Sequence, residues 1–195
     1  MKTRMLTLVA ATALALGSFA GCSTTTTNTP SASAADPMAK RQAIDAKVDG
    51  ALSRLYAQDP SSRELVSKAR GVLVFPTIVS AGFVVGGSYG QGALRMRGKT
   101  EEYYSTAAGS VGLLAGAESK AVYILFMTDE ALAKFRASKG WTVGADASVT
   151  VVNVGASAQV DSKTAQQAIV AYVLTNGGLM ANLSLEGTKI TPLAL

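Results

Sequence analysis

Histidine is absent from the 195 residues. Without it there is no Ser-His or Cys-His relay and no imidazole metal ligand, which excludes the commonest hydrolase and zinc chemistries. A single cysteine, Cys22, excludes an intrachain disulfide and a thiolate zinc site. Charge is also scarce, at 16% of residues, against roughly 25% in ordinary soluble domains. Aromatic residues make up 6% and apolar residues 48%, a balance that excludes disorder over the whole length. An uncharged run from Met5 to Leu16 is too short to cross a bilayer, for which roughly 20 apolar residues are needed.

That run reads as an export signal. Lys2 and Arg4 give it a basic start, and Gly17-Ser18-Phe19-Ala20-Gly21 supplies small residues at its end. Phe19-Ala20-Gly21-Cys22 resembles a bacterial lipoprotein box, with Phe19 where Leu is usual. The expectation is a signal peptide over residues 1–21 and lipidation at Cys22. Ser23 follows the cysteine in place of Asp, which by the same resemblance directs the protein to the outer membrane. Removing residues 1–21 takes Lys2 and Arg4 away and lowers the net charge from +5 to +3. Residues 22–35 are rich in Ser, Thr and Ala and carry no charge, so they are expected to be a flexible tether.

From Asp36 the character changes. Asp36-Pro37 is a strong helix start, and Ile44, Val48, Leu52, Leu55 and Tyr56 follow at helical spacing. Asp59-Pro60 repeats the start for a shorter helix through Leu65, Val66 and Ala69, with Gly71 as its stop. Strands are predicted at Val72–Phe75, Phe83–Ser88, Ala93–Arg97, Val111–Ala117 and Ala121–Met127. Thr128-Asp129-Glu130 opens a third helix that Gly140 ends. Beyond it, Trp141–Val160 is rich in β-branched residues, and Ala168–Thr175 and Leu179–Leu185 flank the hairpin signal Asn176-Gly177-Gly178. The expected fold is α+β: a largely antiparallel, strongly curved sheet, barrel- or sandwich-like, with two N-terminal helices and one inserted helix.

Candidate chemistry is sparse. Gly86-Gly87-Ser88-Tyr89-Gly90 matches G-x-S-x-G, but that motif needs a histidine base and a strand-to-helix turn. It reads as a glycine-rich strand. Neither G-x-G-x-x-G nor a P-loop ending occurs, so the glycines from 82 to 92 read as points of curvature or close backbone approach. Glu101-Glu102 falls in an expected turn, Asp129-Glu130 in a helix cap, and Asp146 and Asp161 stand apart. No metal, cofactor or catalytic residue is expected.

The distribution of positive charge is more informative. Met38–Lys99 holds ten Lys or Arg against four acids, and Thr100–Leu195 holds six against eight. Lys40, Lys47 and Arg54 recur every seven residues and so form one stripe beside Ile44, Val48, Ala51 and Leu55, with Asp45 and Asp49 on the other side. Basic stems beside an apolar face suit an anionic lipid surface. They also suit a helix that packs on a sheet with its charges in water. Nucleic acid is a poor partner for a chain at +3 with no aromatic-basic interleaving.

Ala69-Arg70-Gly71-Val72-Leu73-Val74-Phe75-Pro76, then Ala81-Gly82-Phe83-Val84-Val85-Gly86-Gly87-Ser88, resembles the SYLF domain family. The same holds for Gly109–Ala117, Gly144-Ala145-Asp146-Ala147 and Gly178–Gly187, which arrive in family order. The resemblance implies a lipid-binding domain over residues 36–195. In eukaryotic members such a domain binds phosphoinositides through a basic amphipathic N-terminal helix, and some yeast members bind actin. By position it places the lipid contact at Lys40, Arg41, Lys47, Arg54, Lys68 and Arg70. An exported start puts cytosolic phosphoinositide and actin out of reach. Bacterial anionic phospholipid or lipopolysaccharide phosphate becomes the expected ligand, with an envelope scaffold for an unidentified protein partner as the alternative.

Overall fold

The computed structural model describes residues 36–82, 85–111, 116–153, 166–175 and 185–195. Two helices come first, α1 (Pro37–Gln58) and α2 (Ser62–Lys68). Four long strands follow: β1 (Gly71–Gly82), β2 (Val85–Met96), β3 (Lys99–Val111) and β4 (Gly116–Phe126). Then come α3 (Asp129–Ala137), β5 (Trp141–Thr142), β6 (Thr150–Asn153), β7 (Ile169–Thr175) and β8 (Lys189–Pro192). The strands make one sheet in the order β5-β8-β3-β2-β1-β4-β7-β6, antiparallel except for the β6–β7 pair. It is a strongly curled half-barrel, as the expected α+β class required.

The curl follows from side-chain contacts. The rings of Phe126 on β4 and Trp141 on β5 lie 6.2 Å apart between centroids, although four strands separate β4 from β5. In a flat sheet strands lie about 4.8 Å apart, so those residues would be far beyond contact. Alternation along each strand divides the side chains cleanly. Leu73, Phe75, Val122, Ile124, Phe126, Ala171 and Val173 point inward, where Leu132 and Phe135 of α3 and Trp141 close over them. Val72, Val74, Tyr123, Leu125, Val170 and Tyr172 point outward, beneath Ile44, Val48, Ala51 and Leu55 of α1 and Leu65 of α2.

Local chemistry explains the helix ends. Asp36 caps α1, its carboxylate accepting the Met38 N–H at 3.0 Å, and Pro37 follows at the first helical position. Asp59 organises the start of α2 by accepting the backbone N–H and hydroxyl of Ser61, while its carbonyl accepts the Ser62 N–H. Thr128 caps α3, with Asp129 and Glu130 in the first turn as expected. The second helix stops at Lys68, and Gly71 is the first residue of β1 instead of a helix stop. At α3 the cap is Ser138, before Gly140.

The expected strands Phe83–Ser88 and Ala93–Arg97 are joined in the single β2, with Phe83 and Val84 outside the described residues, and β3 forms where only Val111 was expected in a strand. Three further departures have local causes. β1 does not end at Pro76 but continues to Gly82, because the proline sits within a register shift between Val74 and Thr77. A bulge is where a strand tolerates a residue without an N–H. Opposite the bulge, a Cβ on Gly92 would lie 2.0 Å from the Val74 carbonyl oxygen, so glycine permits the close approach that bends the sheet. Second, Glu101 and Glu102 lie inside β3 and not in a turn. The turn is Arg97-Gly98, both with positive φ, joining β2 to β3 as a two-residue hairpin. Third, β8 at Lys189–Pro192 forms where no strand was expected. Asn176-Gly177-Gly178 and most of Leu179–Leu185 lie outside the described residues, as does Asp161.

Candidate functional site

Helix α1 lies across the outer face of the sheet and carries different charges on its two flanks. On one flank, Asp45 accepts the Thr100 hydroxyl at 2.7 Å and the Tyr103 phenol at 2.9 Å. Arg95, on β2, donates to Asp49 at 2.7 Å and lies 3.8 Å from Asp45. With only 14% of its side chain exposed, Arg95 is held between two carboxylates of the helix, so this flank anchors α1 to the β2–β3 hairpin. Burial raises the Tyr103 pKa, and the bond to Asp45 raises it further. At the helix centre the buried Tyr123 phenol donates to the Ala51 carbonyl at 2.7 Å. Burial pushes its pKa up to about 12, with Arg54 pulling the other way.

The opposite flank carries Lys40, Lys47 and Arg54, as the seven-residue spacing requires. Lys47 and Arg54 are exposed and Lys40 is half-buried. Arg54 donates to the Pro76 carbonyl at 3.3 Å, a contact that leaves its charge uncompensated. Among the described residues, none of the three pairs with a carboxylate within 4.0 Å. Three cations at one-heptad intervals therefore run along one edge of an otherwise packed helix.

The remaining expected contacts are not gathered with them. Arg41 donates to the carbonyl of Leu195, on the side of Tyr103 and away from Lys40. Lys68 pairs with Glu64 at 2.6 Å, and Arg70 with Asp129 at 3.4 Å. Both pairs are largely exposed, and such pairs contribute little to stability and yield readily to competing ions. Cys22 lies outside the described residues.

The apolar side of α1 is not available to lipid. Ile44, Val48, Ala51 and Leu55 are buried against β1, β4 and β7, so the helix packs on the sheet and presents only its cationic edge. Among the described residues no helix is long and apolar enough to cross a membrane. Ser88 occupies the middle of β2, facing Ser80 on β1 and Ala108 on β3, without the strand-to-helix turn that a nucleophile of the G-x-S-x-G type requires. Sequence reasoning missed the Asp45–Arg95–Asp49 clamp because Arg95 is 46 residues from Asp49; the acids on that flank were its only trace.

Residues 107–193 match the family model described as Ysc84: Las17-binding protein actin regulator, a SYLF domain. The match takes in β3 from Ala107 and all of β4 to β8. No curated protein matches the chain.

Proposed function

We propose that this SYLF-domain chain is a non-catalytic envelope lipoprotein, anchored through Cys22 to the outer membrane, whose domain binds anionic phospholipid headgroups along Lys40, Lys47 and Arg54. The family match supports lipid binding as the class of activity. The observation that carries the finer reading is the unpaired cationic edge of α1, set just after the tether that would bring it to the membrane. Because the apolar side of α1 is committed to the core, attachment is peripheral: ammonium and guanidinium groups meet phosphates without helix insertion. Each such contact contributes about 1 kcal/mol near an anionic surface and weakens within a Debye length. Lys68 and Arg70 join by exchanging their carboxylates for phosphates. The family description names an actin regulator, a partner that an exported chain does not meet.

Flotation of the full chain carrying Cys22→Ala tests this, with phosphatidylcholine vesicles in the presence or absence of phosphatidylglycerol. Binding is expected only with the anionic lipid, to fall as salt rises, and to be lost in the Lys47→Glu/Arg54→Glu variant. Equal recovery from both vesicles, or an unaffected double variant, overturns the reading. The alternative, a scaffold for a protein partner, draws on a different surface: Val79, Val85 and Tyr89 are large, apolar and more than half or half exposed. It predicts binding that ignores headgroup charge and is lost on substituting those three.

A further inference from the structure

The inner side of the half-barrel holds a cavity of about 360 Å³ that the surface reading does not use. That volume falls within the roughly 300–1,000 Å³ of small-molecule sites. The strand register orders its wall. One row across the sheet contains Glu118, Ser80, Ser88 and Ala108, and the next contains Lys120, Ile78, Gly90 and Thr106. Beyond these rows the wall is mainly apolar, with Phe75, Val122 and Ile124 on one side and Val143, Leu185 and Ile190, beside Glu186 and Thr188, on the other. The cavity therefore has a charged, hydroxyl-bearing end and a hydrocarbon end. One group at the polar end lacks what its burial demands, and a second is partly desolvated. Thr106 is 1% exposed, and its hydroxyl has no hydrogen-bond partner among the described residues. Burial pulls the Lys120 pKa below the usual lysine range, with Glu118 partly restoring it.

We propose that this cavity binds a monoacyl zwitterionic lipid, its tail against Phe75, Val122 and Ile124 and its head at Lys120 and Glu118. The single chain follows from the volume, which is near the lower limit for a ligand site. The zwitterion follows from the charges: Lys120 meets a phosphate, and Glu118 meets a quaternary or primary ammonium. An ester carbonyl lies between head and tail in such a lipid, and Thr106 is the donor at that level. A simple anion would face the Glu118 carboxylate, and a simple cation would face the Lys120 ammonium, each an unfavourable pairing in partly desolvated surroundings.

The test is calorimetric titration of the full chain carrying Cys22→Ala with lauroyl lysophosphatidylcholine below its micellar concentration. Dodecylphosphocholine, which lacks the ester, and dodecyltrimethylammonium, which lacks the phosphate, are the comparison probes. One lysolipid per chain is expected, bound about tenfold more tightly than dodecyltrimethylammonium. Ala108→Trp, which fills the cavity from the inner face, is expected to weaken every probe about tenfold. Lys120→Met weakens the lysolipid and spares dodecyltrimethylammonium. Thr106→Val, close to isosteric, weakens the lysolipid and spares dodecylphosphocholine. Retained thermal unfolding transitions establish that each variant folds. No saturable binding below the micellar range overturns the proposal, as does binding that survives Ala108→Trp in a folded protein. The Lys47→Glu/Arg54→Glu variant leaves the cavity intact, so loss of vesicle binding and loss of lysolipid binding are separable results.

Discussion

The two halves of the long strands are built from one sheet but live in different surroundings. Residues 71–76 of β1 are all buried, between α1 and α2 outside and α3 inside. From Thr77 onward buried and exposed residues alternate, and β2 shows the same change between Tyr89 and Gly92. The bulge at Pro76, with Gly92 opposite, marks the boundary. One half buries both faces and carries the fold's stability. Among the described residues no helix covers the other half, which exposes Val79, Val85 and Tyr89 outside and lines the cavity inside.

The boundary itself is the most sensitive place. Gly92→Ala would drive a methyl group onto the Val74 carbonyl and 2.8 Å from the Phe75 ring. Overpacking of this kind costs about 1–3 kcal/mol and more where backbone must move, so a loss of about 3 kcal/mol or greater in chemical denaturation is expected. Within the covered half, Leu55 is wholly buried beneath the sheet, and Leu55→Ala is expected to cost about 2–5 kcal/mol. If either substitution is tolerated at under about 1 kcal/mol, the covered half is not the stabilising unit.

Much of the covered half was legible in the sequence, because its signals are local. Asp36-Pro37, Asp59-Pro60 and Thr128-Asp129-Glu130 are caps whose hydrogen bonds span only a few residues. The apolar spacing of α1 identified its packed face, and alternate charges identified its two flanks. The open half was less legible. Pro76 reads as a strand end unless the bulge is known, and the bulge depends on Gly92 across the sheet. The covered half hid one turn of its own: Arg97-Gly98 carries one glycine and no Asn or Asp, so its hairpin lacked the usual signature. Lys189–Pro192 has only Ile190 to bury and becomes a strand through pairing with β3, whose partners Tyr104 to Ala107 lie far back in the chain. The cationic stripe was readable from spacing alone. The cavity was not, since its wall is assembled by register among β1 to β4.

The clamp on α1 offers a smaller test. Arg95→Met keeps the stem that packs beneath the helix but leaves Asp45 and Asp49 facing each other without a cation. A charge-assisted bond of this kind contributes about 1.5–3 kcal/mol, and the variant is expected to lose an amount near the lower end because Asp49 is well exposed. High salt should narrow the difference. An Arg95→Met protein as stable as the parent would show that apolar packing alone holds α1 in place.

Acid provides a gentler probe of the inner contacts. Glu102 is penalised by burial, but hydrogen bonds from Arg136 and Tyr104, with the charge of Arg136, hold its pKa below the usual value. A carboxylate depressed on folding contributes stability that is complete above its unfolded pKa, about 4.3, and is lost as pH falls through the lower folded value. Glu102→Gln is therefore expected to destabilise the protein at neutral pH while making its stability less steep below about pH 4. An unchanged acid limb would mean that the Glu102–Arg136 pair persists as fully in the unfolded chain as in the folded one.

The smallest expected effect sharpens the comparison most. Val79 and Val85 are 50% and 71% exposed, on the face that α1 leaves bare. Residues in water on both sides of folding contribute little to it, so Val79→Ser and Val85→Ser should each stay within about 0.5 kcal/mol of the parent. A loss comparable to Leu55→Ala would show that this surface is covered in the folded protein, and the division at Pro76 would fail. Near-neutrality, together with loss of binding to a protein partner, would instead assign the outer face of the open half to recognition. The cationic edge of α1 and the inner cavity rest on other residues, so each of the three surfaces stands or falls on its own measurement.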